Sequence, residues 1–160
     1  AIEADSTWKE HSDKAGEKGL QAARAIGMLT YRNYAQFVER QTNEEPTLQN
    51  FRAESYVRYQ GKKLSDRFNV YSYWLLSLAM DGHHLGRNRQ GLEEAVSQVK
   101  CPVLVIGISS DFLCPVAEQK KLAAIFSNGR YVEIQSPYGH DGFLLEGEQI
   151  SESLRSFLES

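Results

Sequence analysis

The sequence predicts an α/β chain: a stretch that is helical throughout, then parallel strands covered by helices. Three observations carry this. Val103-Leu104-Val105-Ile106-Gly107-Ile108 is apolar without interruption, the pattern of a parallel strand buried on both faces. A second strand-like run, Tyr131-Val132-Glu133-Ile134-Gln135, follows one helix-length segment later and leads into an amphipathic helix. Residues 1–90 contain no convincing strand. The expected organisation is therefore a helical region over 1–90 and a strand-bearing region over 91–160. Two strands are too few for a stable open sheet, so the remaining strands are expected from chain outside these 160 residues.

The elements follow in order. Leu20, Ala23, Ile26, Leu29, Tyr34 and Phe37 recur at helical spacing and predict a helix from Leu20 to Val38. Thr42-Asn43-Glu44-Glu45-Pro46 breaks it. A second helix is expected over Thr47–Gln60, with Gly61 at its C′ position. A third, Ser65–Met80, carries Phe68, Tyr71, Trp74, Leu75 and Leu78 on more than one side, which suits a helix with more than one neighbour. Leu92–Val99 is a short helix ahead of the first strand. Pro115 opens a helix that ends near Phe126, and proline fits a first turn. Ser127-Asn128-Gly129-Arg130 turns into the second strand. Ile150, Leu154, Phe157 and Leu158 form the stripe of the final helix. There is no internal repeat and no low-complexity segment.

Composition narrows the function classes. Hydrophobic residues make up 41% and charged residues 24%, ordinary for a globular protein. A net charge of −3 provides no basic patch, so nucleic acid is not an expected partner. No apolar run approaches the roughly 20 residues of a membrane-spanning helix, so no membrane partner is expected. The opening Ala1-Ile2-Glu3-Ala4-Asp5 is not a signal peptide and reads as the end of a helix cut into. Cys101 and Cys114 have neither the number nor the spacing of a disulfide framework or zinc site. They are expected to be reduced thiols of a cytoplasmic protein. His83 and His84 are adjacent, the wrong spacing for shared helical ligation, and no metal is expected.

The chemistry lies past the strand ends. Asp111 follows the first strand, and His140 follows the second within Ser136-Pro137-Tyr138-Gly139-His140-Asp141-Gly142-Phe143. Loops at the carboxyl ends of parallel strands are where such sheets hold catalytic groups. An Asp there can accept from one ring nitrogen of a His and leave the other as a general base. Acid then histidine on successive strands is the tail order of the Ser-Asp-His triad of α/β-hydrolases. The nucleophile should precede both. No Gly-x-Ser-x-Gly occurs; Gly107-Ile108-Ser109-Ser110-Asp111 comes nearest, and Ser109 reads as a strand-end residue. Arg24 and Tyr31 lie two turns apart on one helix face. An arginine fork suits a carboxylate, and the plainer alternative is a surface arginine with a core tyrosine.

Longer stretches carry a resemblance. They are Ile26-Gly27-Met28-Leu29-Thr30-Tyr31-Arg32, Phe51–Gly61, Arg67–Trp74 and Ala79-Met80-Asp81-Gly82-His83, then Ile108–Pro115 and Tyr138–Leu144. In this order, almost end to end, they resemble the C-terminal half of homoserine O-acetyltransferases, acyltransferases of the α/β-hydrolase fold. The resemblance implies the last two core strands of that fold plus a mainly helical lid. It implies ping-pong transfer of acetyl from acetyl-CoA to a serine, then to the hydroxyl of L-homoserine, in methionine biosynthesis. Acetyl-CoA is a co-substrate, and no cofactor is implied. Asp111 and His140 would be catalytic. Arg24 would hold the substrate carboxylate with Tyr31 nearby in the acyl channel, and Asp141 would receive the ammonium. The lid helices would make a homodimer.

Two departures stand out. Cys114 occupies a position that is usually aromatic in the family, and Ser6 one where proline is common. Without the nucleophile, the isolated chain is expected to be inactive. A related serine or homoserine acyltransferase using acetyl or succinyl donors, an esterase of the same fold, and a purely dimerising module are the rival readings.

Overall fold

A computed structural model describes residues 1–160. The chain divides into two compact units. The first comprises Ala1–Leu29 and Phe37–His83, the second Thr30–Gln36 and His84–Ser160. The short segment Thr30–Gln36 thus belongs with the strand-bearing unit.

The first unit is helical. Two short 3-10 turns, Ile2–Ala4 and Trp8–Glu10, precede α1 (Glu17–Tyr31), whose last two residues fall in the second unit. Ile2, Leu20, Leu64 and Val70 form the buried core, with Trp8, Ala23, Phe68, Tyr73 and Trp74 packed on it. Trp8 anchors the opening segment: its ring lies 4.6 Å from Tyr71 and 5.3 Å from Trp74, and the Tyr71 hydroxyl donates to its carbonyl at 2.7 Å. Asp5 caps α1 from a distance. Its Oδ2 accepts from the Gly19 N–H at 2.8 Å, and its Oδ1 accepts from the Thr7 N–H and hydroxyl at 2.9 and 2.7 Å.

These bonds, the Thr7 N–H first, then its hydroxyl and the Gly19 N–H, hold the Asp5 carboxyl below its ordinary 3.8. A group whose folded pKa is depressed stabilises above its unfolded pKa and loses that contribution as pH falls through the folded value. Asp5→Ala is therefore expected to cost about 1 kcal/mol near neutral pH, the usual worth of a helix cap. The difference from wild type should vanish below the folded pKa of Asp5. Urea unfolding at neutral and strongly acidic pH checks this; a pH-independent difference would contradict it.

The helix expected over Leu20–Val38 is interrupted. α2 begins afresh at Tyr34 and runs to Gln41, with the Asn33 side chain accepting from the Ala35 N–H at 2.9 Å. Asparagine offers the backbone this local alternative to continued helix. The next helix also starts later than expected. Thr47 to Asn50 form a turn tied by Thr47–Gln49 hydrogen bonds, with Asn50 at φ +58°, and α3 spans Arg52–Ser65. Gly61 is not a C′ residue but lies inside α3, where a Cβ would stand 3.1 Å from the Gln21 carbonyl oxygen of α1. Close packing of the two backbones, not termination, is its role. α4 spans Val70–Asp81 rather than starting at Ser65, because Asn69 caps it by accepting from the Ser72 N–H at 3.0 Å. Leu75, Leu76, Leu78 and Met80 of α4 are exposed.

In the second unit, α5 (Leu92–Ser97) precedes β1 (Val103–Ile108), α6 (Val116–Ile125) and β2 (Gly129–Ile134). The strands are parallel, with Val103 opposite Gly129 and Ile108 opposite Ile134. α6 is the crossover and packs on both strands. Val105, Ile108, Ala123 and Ile134 are buried in this unit. A 3-10 turn, Gly139–Asp141, then α7 (Gly142–Leu145) and α8 (Gly147–Leu158) complete the chain. No helix is long and apolar enough to cross a membrane.

Candidate active site

The parallel register ends both strands at the same level, Ile108 beside Ile134. The segments leaving the strands therefore start side by side. Serines join them. The Ser136 N–H donates to Ser109 Oγ at 3.0 Å, and the Gly139 N–H donates to Ser110 Oγ at 2.9 Å. Ser136 is itself buried, and its Oγ accepts from the Tyr138 N–H at 3.2 Å. Sequence reasoning treated Ser109 as a strand-end residue and missed this stitching. Small hydroxyl residues just past both strands were the available signal.

The joined loops bring two sequence-nominated residues together. Asp111 Oδ2 lies 2.8 Å from His140 Nδ1. The Asp111 side chain is only 4% exposed and that of His140 27%. Asp111 Oδ1 accepts from the N–H groups of Leu113 and Cys114 at 2.8 and 2.9 Å. Both carboxylate oxygens thus have partners, as a buried charge requires. A carboxylate only accepts hydrogen bonds, so Nδ1 carries the ring hydrogen and Nε2 keeps its lone pair. That is the tautomer a general base needs. The ring is bracketed by Phe143, edge-on at 5.4 Å, and Tyr31, tilted at 5.5 Å.

Asp141 is next to His140 and is ion-paired: Arg32 Nη1 lies 2.8 Å from its Oδ2. Arg32 was not singled out from the sequence, where it is one of 18 basic residues with nothing local to mark it. Its Nε is buried without an acceptor, a condition that costs roughly 1–3 kcal/mol. The turn bearing Arg32 is pressed on the histidine loop. Gly139 has φ +66°, and a Cβ there would stand 2.8 Å from both the Tyr31 carbonyl oxygen and the Asn33 nitrogen. Arg24 belongs to the first unit, where it lines a hollow with Gln60, Lys63, Leu64 and Arg67.

Donor atoms of Asp111, Cys114 and His140 lie within 4.8 Å of one another. The set is ill-suited to a metal: both Asp111 oxygens are committed to N–H donors and to His140. Burial first, then the charges of Asp111 and Glu118, push the Cys114 thiol up. A protonated thiol is a poor ligand and nucleophile. At neutral pH iodoacetamide is expected to label exposed Cys101 well before Cys114, which peptide mass spectrometry over time would read; faster labelling of Cys114 would contradict the assignment.

No protein-family model matches the chain. The chain is 49% identical over 157 residues to a homoserine O-acetyltransferase of Cyclobacterium marinum, covering 98% of this chain and 45% of that protein. It is 42% identical over 166 residues to one of Chlorobium luteolum, covering 100% and 46%. The chain thus spans about half the length of the curated relatives it matches. Among solved structures, a homoserine O-acetyltransferase from Bacillus anthracis superposes with a TM-score of 0.86 at 20% identity, over 99% of this chain and 46% of that one. An acetylester hydrolase from Corynebacterium glutamicum superposes with a TM-score of 0.78 at 20% identity, over 99% and 47%. The fold is that of the C-terminal part of an α/β-hydrolase.

Proposed function

We infer that this chain belongs to the homoserine O-acetyltransferase family, spanning about 45% of its relatives' length as their C-terminal portion, and that it supplies the acid–base half of the active site. The observation that carries the reading is the Asp111–His140 hydrogen bond, made between the loops that follow two consecutive parallel strands. In a complete protein of the relatives' length, the nucleophilic serine comes from the remaining part.

His140 Nε2 takes the serine proton as the serine oxygen attacks the acetyl carbonyl of acetyl-CoA. The C–S bond then breaks, and the thiolate leaves with that proton. In the second half, Nε2 takes the proton of the homoserine hydroxyl, whose oxygen attacks the acetyl-serine. The proton returns to the serine as O-acetylhomoserine departs. Asp111 holds the ring throughout and stabilises the imidazolium formed in each half. Asp141 receives the ammonium and Arg24 the carboxylate of the amino acid, and Tyr31 flanks the imidazole on the acyl side. The exposed apolar residues of α4, Leu75, Leu76, Leu78 and Met80, support a homodimer through the helical unit. We place the enzyme in the cytoplasm, in methionine biosynthesis, with no cofactor beyond its co-substrate.

Initial rates of the complete protein with acetyl-CoA or succinyl-CoA, against homoserine, serine or water, test the reading. Parallel lines in double-reciprocal plots with acetyl-CoA and homoserine are expected. Faster hydrolysis of simple acetyl esters than transfer to homoserine would favour the esterase reading instead.

A further inference from the structure

We propose that Arg32 is a positioning residue of the acceptor subsite: it fixes Asp141 so that one carboxylate oxygen is presented to the ammonium of an amino-acid acceptor. This rests on the reading above, in which Asp141 receives that ammonium. Arg32 Nη1 holds Asp141 Oδ2 at 2.8 Å, which leaves Oδ1 for the ligand. Both side chains are largely withdrawn from solvent, 30% and 22% exposed, so the pair is less screened than a surface one. The guanidinium has no competing anchor through Nε, which is buried without an acceptor.

The backbone enforces the same geometry. Gly139 sits in van der Waals contact with the backbone of residues 31–33. The turn carrying Arg32 and the turn carrying His140 and Asp141 are therefore packed backbone to backbone, with no room for a side chain at Gly139. Tyr31, the neighbour of Arg32, lies against the imidazole of His140, the neighbour of Asp141. Two consecutive residues of one turn thus face two consecutive residues of the other, one pair at the general base and one at the ammonium partner. Arg32 acts through Asp141 and not on the reacting atoms, so its loss should weaken acceptor binding and spare acylation.

The test uses the complete protein with Arg32→Met, Arg32→Lys, Asp141→Asn and the Met/Asn double variant. The acylation burst from p-nitrophenyl acetate is measured beside KM and kcat for homoserine and for 4-hydroxybutyrate, which lacks the ammonium. Arg32→Met should raise the homoserine KM at least tenfold, leave the 4-hydroxybutyrate KM within twofold, and keep the burst within twofold. Arg32→Lys should recover part of the loss, because an ammonium restores the charge but not the planar guanidinium's placement. The double variant should be no worse than Asp141→Asn alone. Equal losses with both acceptors, loss of the burst in both Arg32 variants, or additive losses in the double variant would overturn the proposal. An unchanged homoserine KM in Asp141→Asn would instead overturn the role of Asp141 itself.

Discussion

Asp111→Asn in the complete protein is expected to lower kcat for acetyl transfer on the order of 10⁴-fold, with the fold intact. The direction follows from how the carboxylate is held. Oδ1 takes two backbone N–H groups, from Leu113 and Cys114. In an asparagine, the amide oxygen must stay with those donors, or two buried N–H groups lose their acceptor. The amide nitrogen then points at His140 Nδ1, where the carboxylate oxygen stood at 2.8 Å. Donor would face donor unless the ring hydrogen moves to Nε2. The base would then have no lone pair toward the serine. His140→Gln removes the base altogether and should cost at least roughly 10³-fold. Steady-state kinetics read both variants, and near-ultraviolet circular dichroism confirms their folding. Transfer within tenfold of wild type in either variant would remove Asp111 and His140 from the mechanism.

Gly139→Ala is expected to destabilise the second unit by about 2–3 kcal/mol, from a left-handed backbone that alanine resists plus displacement of its neighbours. The φ of +66° is one part of the cost. The other is contact: the new methyl would meet the Tyr31 carbonyl oxygen and the Asn33 nitrogen, which are backbone and cannot rotate away. Relief requires the 31–33 turn to lift off the histidine loop. That movement would draw Arg32 from Asp141 and Tyr31 from His140. The variant should therefore lose affinity for the amino-acid acceptor as well as stability. Chemical unfolding together with acceptor KM tests this. A stable variant with wild-type KM would show that the turn is not clamped.

The two residues legible in advance, Asp111 and His140, were legible for a specific reason. Parallel strands in register end at one edge, so the loops that follow the two apolar runs start side by side there. The helices of the first unit were legible as periodicity and less so as boundaries. The apolar spacing Ile26, Leu29, Tyr34, Phe37 runs straight through the interruption at Asn33, because a short irregular stretch barely disturbs a periodic pattern. Gly61 shows the opposite failure. A glycine near an expected helix end reads as a stop, yet here it marks where the Gln21 backbone of α1 comes close.

By itself, the sequence determined the parallel strand pair, the aspartate and histidine past its ends, and a resemblance to homoserine O-acetyltransferases through ordered stretches of matching residues. These depend on local patterning and chain order, which need no partner to be read. Only the tertiary structure decided that Thr30–Gln36 belongs with the strand-bearing unit, that serines join the two loops bearing Asp111 and His140, and that Arg32 holds Asp141. Each is a meeting of residues far apart in the chain. Such meetings depend on how closely two backbones approach, and at Gly139 that distance is set by the missing side chain.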